Sequence, residues 1–182
     1  MIIIGIDPGI SGALAAYDTA LEKFIWLEDM PTIASGTSGK KMINPFALCQ
    51  SIETINAVHK SKSSTLEVII EQVSAMPGNG VTAMFNFGRS FGIIEGVVCA
   101  MKLPLHMVRP ATWKKSMGYT NDKEVIRADM TRHYPYFADL LKRKLDADRA
   151  EAMALCLYHR KRINANRNAL EVYNAELLKD DK

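Results

Sequence analysis

Residues 2 to 7, IIIGID, are β-branched and apolar on both faces, the pattern of a central strand buried between two layers. PGISG (8 to 12) breaks that run as a turn, GALAAYD (12 to 18) predicts a second strand and KFIWLEDM (23 to 30) a third. Connections this short imply an antiparallel meander. ASGTSGKKM (34 to 42) reads as a mobile polar Gly/Ser loop. NPFALCQSIETINAVHK (44 to 60) then changes to helical spacing, with Asn44 as N-cap, Pro45 at the first helical position and Phe46, Leu48, Cys49, Ile52, Ile55, Ala57 and Val58 on one face.

TLEVIIEQV (65 to 73) predicts a fourth strand, and the preceding helix allows it to lie parallel to the first. PGNG (77 to 80) precedes a long helix over 81 to 101, LPLHMVRP (103 to 110) forms a fifth strand, and the remainder is helical in pieces. The expected fold is α/β, a mixed five-stranded sheet whose first three strands are antiparallel, with helices on both faces.

A chain of 182 residues fits one domain, residues 1–182, with a basic helical segment at about 159–182. The 48% hydrophobic and 24% charged composition is that of a soluble globule, and no apolar run is long enough to span a bilayer. MIIIGI lacks a basic leader and is too short for a signal peptide, so the reading is cytoplasmic, with no membrane role. Cys49, Cys99 and Cys156 are odd in number and widely spaced, which reads as reduced packing residues and excludes a clustered zinc site. His106 reads as a packed strand residue, and His59, His133 and His159 as exposed or helix-end residues. No Walker-type G-x-x-x-x-G-K-[ST] is present.

The candidate chemistry is carboxylate chemistry. Asp7 ends a buried strand and Glu71 interrupts VIIEQV among apolar neighbours, while Asp146, Asp148 and Glu151 gather at the mouth of the helix LDADRAEAMALCLYHR. Each has a local explanation. Asp-Pro-Gly initiates turns, a strand Glu pairs with Lys or Arg, and Asp148-x-x-Glu151 has capping-box spacing with acids that suit the helix dipole. Acids three apart also project from one helix face. Should that face abut Asp7 and Glu71, four carboxylates converge, and oxygen ligands of that kind select Mg²⁺ or Mn²⁺.

IGIDPGISGALA, then VIIEQV, then a Phe- and Gly-rich helix, then DRAEAMALC resembles the RuvC-type Holliday-junction resolvases of the RNase H-like nuclease superfamily, over residues 1 to about 160. The resemblance implies a metal-dependent endonuclease that resolves four-way junctions in branched DNA by paired symmetric nicks. Asp7, Glu71, Asp148 and Glu151 match the catalytic, metal-binding positions, which the resemblance implies hold two ions per site that would activate water and stabilise the leaving oxygen. Asp146 is the rival to Asp148 and otherwise reads as an N-cap. Glu151 stands where many members have Asp. Ser74 stands where the bacterial pattern has a stacking Phe, which leaves Met76 or Phe85 as substitutes and is compatible with a phage-like branch.

Charge adds a DNA-facing half. The whole chain carries only +3, but residues 109 to 127 contain Arg109, Lys114, Lys115, Lys123 and Arg127 against Asp122 and Glu124, and Arg160, Lys161, Arg162 and Arg167 follow without an acid. Such clusters suit phosphate contacts or form a solvated helix face. The resemblance favours Lys114 and Lys123 as DNA contacts ahead of Lys115 and Arg109. Gly88, Gly92 and Gly96 form a smooth helical stripe that either packs on the sheet or, as the resemblance implies, builds a two-fold homodimer. The sequence identifies no helicase partner. Two other functions stay open, a non-catalytic junction-binding protein of the same fold and an actin-like-fold phosphotransferase, although the latter needs two such domains.

Overall fold

A computed structural model describes residues 1–36, 39–59, 65–72, 74, 78 and 80–180. Strands β1 (Ile2–Asp7), β2 (Ala13–Asp18) and β3 (Lys23–Asp29) form the expected meander. A hairpin of β4 (Thr32–Ser35) and β5 (Lys40–Ile43) follows, then α1 (Pro45–His59), β6 (Leu66–Glu71), α2 (Val81–Ala100) and β7 (Leu105–Val108). Helices α3 (Pro110–Met117), α4 (Lys123–His133) and α5 (Ala147–Asp180) complete the chain, with two 3-10 segments between α4 and α5. The main sheet has the order β3-β2-β1-β6-β7, with β6 parallel to both β1 and β7.

Strand alternation sorts the residues into two cores. Ile2, Ile4 and Ile6 of β1 join Leu66, Val68 and Ile70 of β6 against Leu48, Ile52 and Ile55 of α1 and Ile94 and Val98 of α2. The intervening residues face α5: Ile3 and Ile69 pack with Ala152, Met153 and Cys156. Period-two geometry therefore turns Gly5, Asp7, Glu67 and Glu71 toward α5 as well. Gly5 is where helix and strand meet most closely. A Cβ added there would lie 2.2 Å from the Ala152 carbonyl oxygen and 2.8 Å from Cys156 Sγ.

Asn44 caps α1, its Oδ1 accepting from the Ala47 amide at 3.2 Å, as the sequence predicts. Three expectations are corrected. The 34–42 stretch is not a loop throughout, because β4 and β5 pair across it, with Gly36 and Gly39 in left-handed conformations that turn the chain. The Gly88, Gly92 and Gly96 stripe does not pack on the sheet: Ser90, Ile94 and Val98 take the inward face, and nothing lies within 4 Å of a Cβ at any of the three glycines. Phe85, on the same helix, is 69% exposed. His159 is fully buried in α5 and not at a helix end; its Nε2 and that of His106 both meet Glu67 Oε2 at 2.9 Å. Burial lowers the pKa of His159 despite the neighbouring Glu67 carboxylate.

Cys156 is a buried thiol, while Cys99 lies on the surface. Among the described residues no helix is long and apolar enough to cross a membrane. The approach at Gly5 generates a stability prediction. Because the clashing atom is a backbone carbonyl, Gly5→Ala must push α5 off β1, and urea unfolding should show a loss of about 1–3 kcal/mol.

Candidate metal centre

The end of the sheet where β1, β3, β6 and β7 finish holds the acids. Asp7 pairs across to Ala13, and Ala13 to Asp29, while Glu71 pairs with Val108. Asp7 lies one step beyond the last parallel rung, Ile6 with Ile70, so Glu71 occupies the matching place on the adjacent strand. Helix α5 starts over this edge and brings Asp148 and Glu151 down on it.

Asp7, Asp148 and Glu151 each offer a carboxylate oxygen, and the three lie within 4.8 Å of one another. Glu71 does not belong to that mutually close set. Its Oε1 accepts from Trp113 Nε1 at 3.0 Å, and its pKa is raised, by burial first, with the Trp113 hydrogen bond opposing and the Glu151 charge reinforcing. Asp7 is pushed up to about 7, chiefly by burial and then by the Asp148 charge, with Lys123 pulling the other way. The turn after β1 contributes little relief: the Gly9 amide reaches Asp7 Oδ1 at 3.3 Å.

Two lysines balance the cluster. Lys123 Nζ lies 2.7 Å from Asp148 Oδ1 and also bridges to Glu151 Oε2. Partial burial works against its charge, yet the Asp148 and Glu151 hydrogen bonds hold its pKa well above the usual lysine value. Lys114, buried beside the Trp113 ring, comes within 2.7 Å of Glu151 Oε1. Glu151 thus meets an ammonium group at each carboxylate oxygen. A set of clustered hard oxygen donors, one of them reluctant to ionise beside the others, fits a divalent cation such as Mg²⁺ or Mn²⁺.

The remaining sequence candidates fall elsewhere. Asp146 does not join the cluster: its carboxylate accepts from the Arg143 amide and guanidinium at 2.8 Å and lies 3.5 Å from Arg149. Lys114 and Lys123 are turned into the acidic cluster, whereas Lys115 and Arg109 are exposed and carry no ion pair among the described residues. Arg160 bonds the Tyr17 hydroxyl, Lys161 the Ser116 carbonyl and Arg162 the His106 ring, so that basic run is largely tied into the fold. Ser74 is exposed, and Met76 lies outside the described residues. Trp113 escaped sequence reading as a site residue; its place in RPATWKK, where β7 ends beside β6, is the signal that could have found it.

The electrostatics generate a test that needs no activity. In EDTA, Asp7→Asn removes a buried, mutually repelled carboxylate and should raise the melting temperature by on the order of a few degrees. Lys123→Ala, which strips the cluster of its counter-charge, should lower it. Differential scanning fluorimetry distinguishes the two directions.

No protein-family model matches the chain, and no curated protein matches it in sequence. Solved structures do. A Thermus thermophilus RuvC structure in complex with Holliday junction substrate aligns at 16% identity and TM-score 0.50, covering 88% of this chain and 92% of that one. A second Thermus thermophilus RuvC structure aligns at 16% identity and TM-score 0.48, covering 91% and 97%. The fowlpox virus Holliday junction resolvase aligns at 19% identity and TM-score 0.45, covering 90% and 99%. The first alignment bears out, at the level of fold, the RuvC-type resemblance read from the sequence: this chain has the RNase H-like architecture of Thermus thermophilus RuvC.

Proposed function

We propose that this protein is a metal-dependent endonuclease that hydrolyses phosphodiester bonds in branched DNA and resolves four-way junctions. The observation that carries the reading is the convergence of Asp7, Asp148 and Glu151 at one sheet edge, in a fold shared with a RuvC whose structure contains Holliday junction substrate. Asp7, Glu71, Asp148 and Glu151 hold the cations, two per site. Bound there, divalent ions supply water activation and charge stabilisation at the leaving oxygen, and no side-chain nucleophile is needed. Trp113 fixes the Glu71 carboxylate, and Lys114 and Lys123 hold the cluster together by charge.

The exposed cations Lys115 and Arg109 are the better phosphate contacts in this arrangement, since Lys114 and Lys123 are engaged with acids. Lys123, half-exposed at the rim, would be free to meet DNA if cations took its place at Asp148. The outward stripe of Gly88, Gly92 and Gly96, beside the exposed Phe85 and Val81, supports a homodimer through α2. Two copies related by a two-fold axis match the near two-fold symmetry of a junction and set up paired nicks.

Two outcomes follow. With labelled four-way junction and Mg²⁺, Asp7→Asn and Glu151→Gln should each cut at least about 10³-fold more slowly, equivalent to about 4 kcal/mol, while still retarding the junction on a gel. Undiminished cutting by either refutes the assignment. Gly92→Leu puts a good helix former on an open face yet blocks close helix approach, so sedimentation should move from dimer to monomer and paired nicking should fall to single nicks.

A further inference from the structure

The β4–β5 hairpin has no part in the reading above. It stands outside the main sheet as a separate two-stranded ladder, with Ala34 opposite Lys41 and Ser35 opposite Lys40. Both lysines are exposed, and neither has an ion-pair partner among the described residues. Across from them, Arg89 of α2 is exposed too and has no ion-pair partner among the described residues; its Nη2 donates to the neutral Met42 Sδ on β5 at 3.7 Å. Lys40, Lys41 and Arg89 line one groove together with Ser35, Asn86 and Ser90, and no acid lines it.

That groove continues toward the acidic cluster. Lys41 and Ile10 line both it and a larger groove of about 630 Å³ that reaches Lys123 and Asp148. In the larger groove three of the four acids are ion-paired, Asp29 with Arg149, Glu124 with Arg127 and Asp148 with Lys123, and the fourth, Asp122, caps α4 by accepting from the Glu124 amide. Lys41 and Lys144 on its walls have no ion-pair partner among the described residues. Topology explains the arrangement. The hairpin follows β3 and α3 follows β7, the two edge strands, and both strands end at the same edge as Asp7. Unpaired cations therefore flank the acidic cluster from both sides of the sheet, Lys115 and Arg109 on one and the hairpin on the other.

We infer that Lys40, Lys41 and Arg89 form a phosphate-binding rail for the DNA strand that runs from the acidic cluster past Ile10 and along the β4–β5 hairpin. This rests on the nuclease reading and extends it, because it gives the substrate a second arm of contact that residues 109 to 127 do not supply. The geometry suits a phosphodiester backbone, which presents repeated single charges to a groove of spaced point cations and is bound without regard to sequence.

The test measures binding of the full chain to a fluorescently labelled four-way junction in EDTA, across a salt series, so that cleavage does not intervene. Lys40→Ala/Lys41→Ala should weaken binding about tenfold and reduce the slope of log affinity against log salt by about two, and Arg89→Ala should reduce it by about one. Lys40→Arg/Lys41→Arg should keep the wild-type slope. Lys23→Ala, at the opposite end of the sheet, should leave it unchanged and controls for net charge. Slopes unchanged in both the double alanine variant and Arg89→Ala, with wild-type binding intact, overturn the rail and leave the nuclease reading standing. An equal loss in Lys23→Ala also overturns it. Wild-type protein that binds the junction no more tightly than an unbranched duplex overturns both.

Discussion

The approach of α5 to β1 at Gly5 is the contact on which the rest depends. With no side chain at that position, the Ala152 carbonyl can sit where a Cβ would be, and the helix lies directly on the strand. Asp148 lies one turn before Ala152 and Glu151 immediately before it, and two residues after Gly5 comes Asp7. A helix held further off would leave three separate carboxylates, each with its own local role. Held at this distance, they become one cluster within 4.8 Å.

The same contact fixes the helix lengthwise. Glu67 and Glu71 are about 13 Å apart along β6, and Glu151 and His159 about 12 Å apart along α5. The two spacings agree closely enough for Glu67 to meet His159 at one end while Glu71 and Glu151 share Lys114 and Lys123 as charge neighbours at the other. A polar network that anchors one end of the helix thus sets the position of the acids at the other.

Placing acids together raises the energy of the site, and the chain offsets it with ammonium groups from α3 and α4. Lys114 and Lys123 give charge balance without fully relieving the repulsion, since Asp7 stays raised to about 7. Flanking the cluster on the two sheet edges are cations with no acid to pair among the described residues, and on the far helix α2 an open glycine stripe faces outward.

The sequence by itself determined the strand order's first half, the capped α1, the parallel placement of β6 and the candidacy of Asp7, Glu71, Asp148 and Glu151, because strand alternation, helix caps and turn residues are local and the acids interrupt apolar runs. Tertiary structure alone decided which of those acids share a site. Asp146 and Asp148 are two residues apart and equally acidic, but Arg143 takes the first while the second faces Asp7. It also decided that Lys114 and Lys123 serve the acids, that the glycine stripe looks outward, that His159 is buried, and that a polar Gly/Ser stretch closes into a hairpin. Each of these turns on which face of an element meets a distant neighbour, and periodicity along the chain states that a face exists without stating what covers it.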